Sequence, residues 1–391
     1  MMILSSAIFV ISFLVIVIVL FGYSFYLKMF LSSRMNVIFS DSIPQYPFVS
    51  IIIVYRNAAE LVQRKIENCL ALEYPENQLQ FVFYSDGSSD NSLDVVNTHV
   101  SYNLISLYSK THKGKISAMN QAVAGADGDI LVFSDVDALL APNSLEFLLK
   151  HFSDPVVGGV CGQRIIADNP TNNIEGAQNS YIRFDSTIKM RESLSGSITA
   201  NDGKLYAIRK EMYQEIPSSV TDDLFVCMSV VEQNRRFLFE PKAIACIKVP
   251  SRNPNHEWIR RRRIVSTSWR GIFMKKHLLN PISYGQFAIG LFVNKVLRRL
   301  LFPFFVILFL STYLLIALHS FIKLFFVIQI IVYVCAATFP LYNKSQWLPR
   351  FFMMFSEKAY YFLLGSAASF MGVIDFLCGK KFEKWEPIKS D

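Results

Sequence analysis

Ile3 to Leu27 is apolar apart from Ser, Gly and Tyr interruptions, and the same character returns from Leu300 to Leu318 and from Leu324 to Tyr342. Nothing else constrains this chain as tightly. In hydrocarbon every backbone N–H and C=O must be satisfied internally, and within one segment only a helix does that. Each run is long enough to cross about 30 Å of hydrocarbon. Met353 to Leu377 is a weaker run, with Glu357 and Lys358 near its start, so three or four spans are expected. Pro281 to Val296, with Lys295, Arg298 and Arg299 at its end, reads as amphipathic and suited to the interface plane. A cleaved leader is disfavoured, because no basic region precedes the first run and no small-residue cleavage pattern follows it. Met1 to Ser6 lack Lys and Arg, whereas Lys28 and Arg34 follow the run, which puts the middle of the chain on the cytoplasmic side. Three C-terminal crossings would place the tail Gly379 to Lys384 outside, against that bias.

These runs divide the 391 residues into an N-terminal span over 1–30, a polar domain over 45–275, an interfacial segment over 280–299 and C-terminal spans over 300–380. The formal charge of +8 admits nucleic acid, but basic residues beside apolar runs more often meet lipid headgroups or phosphates, so no nucleic-acid partner is expected. The six cysteines show no C-x-x-C spacing and no partner histidines, which indicates reduced, mostly buried thiols rather than a zinc site or disulfides.

After a linker at Asp41 to Pro47, Val49 to Val54 reads as a β-branched strand, Tyr55 to Ala59 as a turn and Glu60 to Leu72 as a helix. Gln80 to Tyr84 is a second strand, running into Ser85-Asp-Gly-Ser-Ser-Asp90. Ile130 to Phe133 is a third, expected to be central in a parallel sheet. Strand, polar loop and helix recurring in this way predict an α/β domain of the doubly wound, Rossmann-like kind. Neither G-x-G-x-x-G nor G-x-x-x-x-G-K-[ST] is present, which counts against a dinucleotide enzyme or a P-loop ATPase.

The third strand ends in Ser134-Asp-Val-Asp137. Ligands gather at the carboxyl ends of such strands, and Asp135 and Asp137 offer an oxygen site for a hard cation that shares its shell with phosphates. A solvated Asp turn would look the same. Asp86, in a glycine turn at another strand end, can accept a hydrogen bond from a base. Lys113-Gly-Lys115 offers cations and open backbone to a diphosphate, or is simply a basic turn before a helix. Thr221-Asp-Asp223 is either a helix N-cap with acidic first-turn residues or a base fixed at a helix start, and both can hold.

In the order Ser50 to Asn57, Ser85 to Asp90, His112 to Gln121, Asp135-Val-Asp137 and Thr221-Asp-Asp223, these motifs resemble the inverting family 2 glycosyltransferases of GT-A fold. The likeness is to the membrane-embedded cellulose, hyaluronan and poly-N-acetylglucosamine synthases, over roughly residues 47 to 275. The resemblance implies that Tyr55, Arg56, Asn57 and Asp86 hold uridine, that Lys113, Lys115 and Asn120 line the nucleotide pocket, and that Asp137 binds Mn2+ or Mg2+ with Asp135 nearer the ribose. It makes Asp223 the base and Asp222 its support, although most relatives have Glu where Asp222 stands. Gly196 to Arg209 and Phe239 to Ala243 would shape the sugar pocket. One departure is clear. Processive synthases present Q-x-x-R-W where this chain has His256-Glu-Trp-Ile-Arg-Arg-Arg-Arg263, in which Arg260 to Arg263 are flanked by Trp258 and Trp269. Arg263 would then meet the diphosphate, unless Arg260 to Arg263 simply face lipid headgroups.

The expectation is therefore a multi-pass plasma (inner) membrane enzyme with a cytoplasmic catalytic domain, which transfers sugar from a UDP-sugar to a saccharide, with room for an accessory export subunit. The alternatives are transfer to a lipid such as diacylglycerol or polyprenyl phosphate and, more remotely, a transporter with a nucleotide-sensing domain.

Overall fold

The computed structural model describes residues 2–31, 45–166, 173–247, 254–342 and 347–382, with backbone alone at 30, 31 and 173–181. Most of the expected linker, residues 41–44, and the end of the tail, 383 and 384, lie outside these.

One mixed sheet carries the polar domain. Its strands are β1 (Val49–Tyr55), β2 (Leu79–Asp86), β3 (Leu104–Ser109), β4 (Ile130–Phe133), β5 (Leu139–Leu140), β6 (Val157–Ile166), β7 (Tyr206–Arg209) and β8 (Arg236–Ile247). Among the described residues they lie in the order β3-β2-β1-β4-β7-β6-β8-β5. β1 is parallel to both β2 and β4, with Val49 opposite Leu79 on one side and Ile130 on the other. Its side chains are buried on both faces, which is why Val, Ile and Tyr fill it almost without interruption. One face packs Val62, Ile66 and Cys69 of the helix Ala59–Leu70; the other packs Met119 and Ala122 of the helix Lys115–Ala124.

Two expectations change here. β4 is parallel to β1 but antiparallel to β7, so the strand ending at Asp135 is central in a mixed sheet rather than a parallel one. β3, pairing with β2, was not foreseen; its six residues alternate only weakly and sit at a sheet edge. The antiparallel strand matters for the site. It brings the amino end of β7, with Gly203 and Lys204 just before it, to the edge where β1, β2 and β4 end.

Four helices among the described residues are long and apolar enough to cross a membrane: Met2–Met29, Pro281–Leu314, Ser320–Tyr342 and Arg350–Leu377. The segment expected to lie in the interface is continuous with the first C-terminal run. Along it, the backbone leaves helical geometry at Gly285, at φ +51, where two helical pieces meet at a kink, and passes through a π-helical turn over Leu291–Val296. Ile16, Val19 and Leu27 of the first helix pack on Ile188 of the polar domain and on Val293, Leu301 and Leu308. The outward faces of the four helices stay apolar, with Ile3, Phe21, Leu310, Phe321 and Phe351 all exposed. All six cysteines are free thiols, and four of them are buried.

Candidate active site

Because β1, β2 and β4 run parallel, their carboxyl ends open on one edge, and Tyr55, Asp86 and Asp135 converge there. Asp135 and Asp137 are joined to the far side of the site by two lysines. Lys204 Nζ lies 2.9 Å from Asp135 Oδ2 and 2.7 and 3.0 Å from the two oxygens of Asp137. Lys115 Nζ lies 2.9 Å from Asp135 Oδ1 and 3.2 Å from Asp222 Oδ2. The result is a ladder, Asp137–Lys204–Asp135–Lys115–Asp222, that bridges β4 to the helix Asp222–Glu232. Burial alone would raise the Asp135 carboxyl, but the two ammonium groups hold it well below the usual carboxylate range.

Asp222 and Asp223 open that last helix after Thr221. Asp223 Oδ1 accepts from Thr221 Oγ1 and from Leu224 N, both at 2.6 Å. Burial and the neighbouring Asp222 charge nevertheless push the Asp223 carboxyl up, which suits a group that must take a proton. The backbone at Gly203 lies over this pair: a Cβ there would sit 3.6 Å from Asp222 Oδ2, an ordinary contact. Beneath, the fully buried Tyr206 ring stacks on Phe133 at 4.8 Å, and its hydroxyl meets no partner among the described residues.

Asp86 is enclosed. Its Oδ1 accepts from Lys113 N at 2.8 Å, and its Oδ2 accepts from Gly114 N at 2.9 Å and contacts His112 Nδ1 at 2.7 Å. The turn that allows this needs glycine: at Gly87, φ is +64, and a Cβ would lie 2.5 Å from His112 N. Asn57, itself at φ +49, accepts from Ser89 N at 2.7 Å and so ties the first turn to the second. Tyr55 is buried, Arg56 half-buried and the Lys113 side chain exposed.

In the arginine run, Arg260 and Arg261 both pair with Glu257, and Arg262 forms a bidentate pair with Asp375 of the last helix at 2.9 and 2.7 Å. Arg263 lies within reach of the Asp222 charge. Burial and Arg260 lower its pKa, while the Asp222 charge opposes them.

The model for "Glycosyl transferase family 2" matches residues 50–217. Residues 50–217 are thus similar to the family 2 glycosyltransferases. The chain is 23% identical over 236 residues to a poly-beta-1,6-N-acetyl-D-glucosamine synthase of Staphylococcus epidermidis, covering 58% of this chain and 56% of that protein. It is 30% identical over 177 residues to a hyaluronan synthase of Streptococcus pyogenes, covering 43% of this chain and 41% of that one. The match thus spans about half the length of these curated relatives. Among solved structures, mannosyltransferase PcManGT from Pyrobaculum calidifontis, in complex with GDP-Man and Mn2+, superposes with a TM-score of 0.70 at 19% identity, over 96% of this chain and 100% of that one. The fold is therefore GT-A, with the apolar helices at both ends of the chain included in the likeness.

At this sheet edge the ladder brings together Asp135, Asp137, Lys115, Asp222 and, beside them, Asp223. Asn120 does not join it. Its Oδ1 accepts from Tyr213 Oη and Ile216 N and its Nδ2 donates to Ile216 O, so its amide clasps the 213–216 segment. Two lysines carry parts of the site that the motifs leave unsaid. Lys204 is one. Lys65 is the other: fully buried, it donates to Ser134 Oγ at 2.8 Å and to Ala138 O, and so staples the Asp135–Asp137 loop from below. The signal for Lys65 was its place among Val62, Ile66 and Cys69 on the buried helix stripe, where a lysine needs a partner.

Among the described residues no three His, Cys, Asp or Glu side chains converge on a metal position. The residues fit a divalent cation all the same. Asp135 and Asp137 already focus on one cationic group, the Lys204 ammonium, and Mg2+ or Mn2+ is commonly held by one or two carboxylates together with substrate phosphates.

Proposed function

We propose that this protein is a membrane-bound, inverting, divalent-cation-dependent hexosyltransferase, moving a sugar from a UDP-sugar to a saccharide acceptor at the cytoplasmic face in exopolysaccharide synthesis. The observation that carries the reading is the ladder, which holds the donor-side pair Asp135 and Asp137 and the acceptor-side pair Asp222 and Asp223 across one site. Single-displacement inversion needs such an arrangement, with charge stabilisation at the leaving diphosphate and a base on the opposite face of the sugar. Asp135 and Asp137 would hold the cation, which when bound neutralises charge on the departing diphosphate. Lys115 and Arg263 bind and orient the diphosphate, and Asp223 takes the proton of the acceptor hydroxyl.

A second reading keeps the chemistry and makes the acceptor a lipid. One observation favours it: Trp269 packs on Phe376 of the last helix, ring centroids 6.1 Å apart, which occupies one of the two tryptophans flanking the arginine run. Purified protein, given UDP- and GDP-sugars with Mn2+ or Mg2+, separates the two by its product. A long, lipid-free, labelled saccharide supports the synthase, a single sugar on an organic-extractable lipid supports the second reading, and no release of UDP or GDP from any donor overturns both.

A further inference from the structure

We infer that Lys204 is a built-in counter-ion that closes the Asp135–Asp137 site until a divalent cation and a nucleotide diphosphate arrive together. This rests on the donor reading above and deepens it.

Three carboxylates, Asp135, Asp137 and Asp222, share two ammonium groups, Lys115 and Lys204. The two lysines are held differently. Lys115 links Asp135 to Asp222, whereas Lys204 is the only lysine among the described residues that touches both Asp135 and Asp137. The Lys204 side chain is 19% exposed and the Asp137 side chain 49%, so Asp137 is the open end, where an incoming ion meets the ladder. A dication cannot take the shared focus of the two carboxylates without displacing that ammonium.

Alone, the exchange is unfavourable. The ladder holds three negative and two positive charges; a dication makes the balance positive and leaves a poorly hydrated ammonium without its partner. A nucleoside diphosphate reverses this by bringing negative oxygens that both the dication and the released ammonium can meet. Lys204 therefore opposes the cation when the diphosphate is absent and assists the diphosphate when the cation is present. The position fits a positioning residue: Lys204 stands just before β7, whose pairing of Tyr206 with Phe133 fixes the lysine beside the end of β4.

The test is calorimetry on the full chain in detergent, with Mn2+ alone, UDP or GDP alone, and each nucleotide at saturating Mn2+, for wild type, Lys204→Met and Lys204→Arg. We expect Lys204→Met to bind Mn2+ alone at least tenfold more tightly than wild type and the nucleotide, at saturating Mn2+, several-fold more weakly, with Lys204→Arg close to wild type. These opposed changes separate the inference from a purely structural role, which would weaken both ligands. If wild type and Lys204→Met bind Mn2+ alone equally, while Mn2+ and nucleotide together still bind wild type, the counter-ion role is wrong and the donor reading stands. If neither nucleotide binds wild type even with Mn2+, the donor reading fails and the inference with it.

Discussion

Asp223 sits where two demands conflict. Burial and Asp222 raise its pKa, so near neutral pH its ionised form weighs against the fold while serving as the base. A carboxyl with a raised folded-state pKa contributes stability that is fully present below its unfolded value of about 3.9 and lost as pH rises through the folded one. Asp223→Asn is therefore expected to raise the unfolding midpoint at pH 7 relative to wild type and to lose that advantage below about pH 4. The same change should cut transfer by about 10²–10⁴-fold with nucleotide affinity nearly unchanged. Wild-type transfer should fall on the acid side at a pH above the ordinary aspartate range. A midpoint unmoved by the substitution at pH 7 would show that the Asp222 charge is not felt there. Lys65→Met leaves Ala138 O and the Ser134 hydroxyl short of a donor, at a cost of about 1–3 kcal/mol. Its denaturation midpoint checks this, and a value equal to wild type would remove Lys65 from the support of the Asp135–Asp137 loop. Asp135, Asp137 and Asp223 were legible as carboxylates at a strand end and a helix start, and it was the order of five motifs that singled them out, because alone each could be a solvated turn or an N-cap. Lys65 and Lys204 were not, because a lysine read from sequence is a surface residue until packing says otherwise.

At the level of elements, the long apolar helices are fastened to the GT-A domain by polar groups at buried or half-buried positions. Glu192, 1% exposed, accepts from Tyr23 Oη of the first helix at 2.7 Å and from Thr199 N at 2.9 Å, and Gly290 is packed so closely that a Cβ would meet the same tyrosine and threonine. Arg262 and Asp375 do the same for the last helix, where Gly372 lies against Arg262 O and Val265. Asp375→Ala should cost about 1.5–3 kcal/mol, the worth of hydrogen bonds to charged groups, seen as a lower thermal midpoint in detergent. An unchanged midpoint would mean that apolar packing alone seats the last helix. Here the sequence was a partial guide. Five ordered motifs marked β1, β2 and β4, whereas β3 and the antiparallel β7 carry pairing information that alternation in one segment does not contain. The division between an interfacial segment and a span at residue 300 rests on composition; along the backbone, a kink at Gly285, a π-helical turn over Leu291–Val296 and a 3-10 turn over Leu297–Leu300 precede the helix Leu301–Leu314.

For the whole molecule, four helices long and apolar enough to cross a membrane pack with a GT-A domain, and residues from both ends of the chain, Tyr23 and Asp375, reach that domain. The central claim is that this protein transfers sugar with Asp223 as base and Asp135 and Asp137 as the cation site. The most direct measurement compares UDP release and labelled product from a UDP-sugar with Mn2+ for wild type, Asp223→Asn and Asp137→Ala, each paired with nucleotide binding. The account predicts product from wild type alone, normal nucleotide binding by Asp223→Asn, and loss of Mn2+-dependent nucleotide binding in Asp137→Ala. Undiminished transfer by Asp223→Asn, or Mn2+-dependent binding kept by Asp137→Ala, would contradict it.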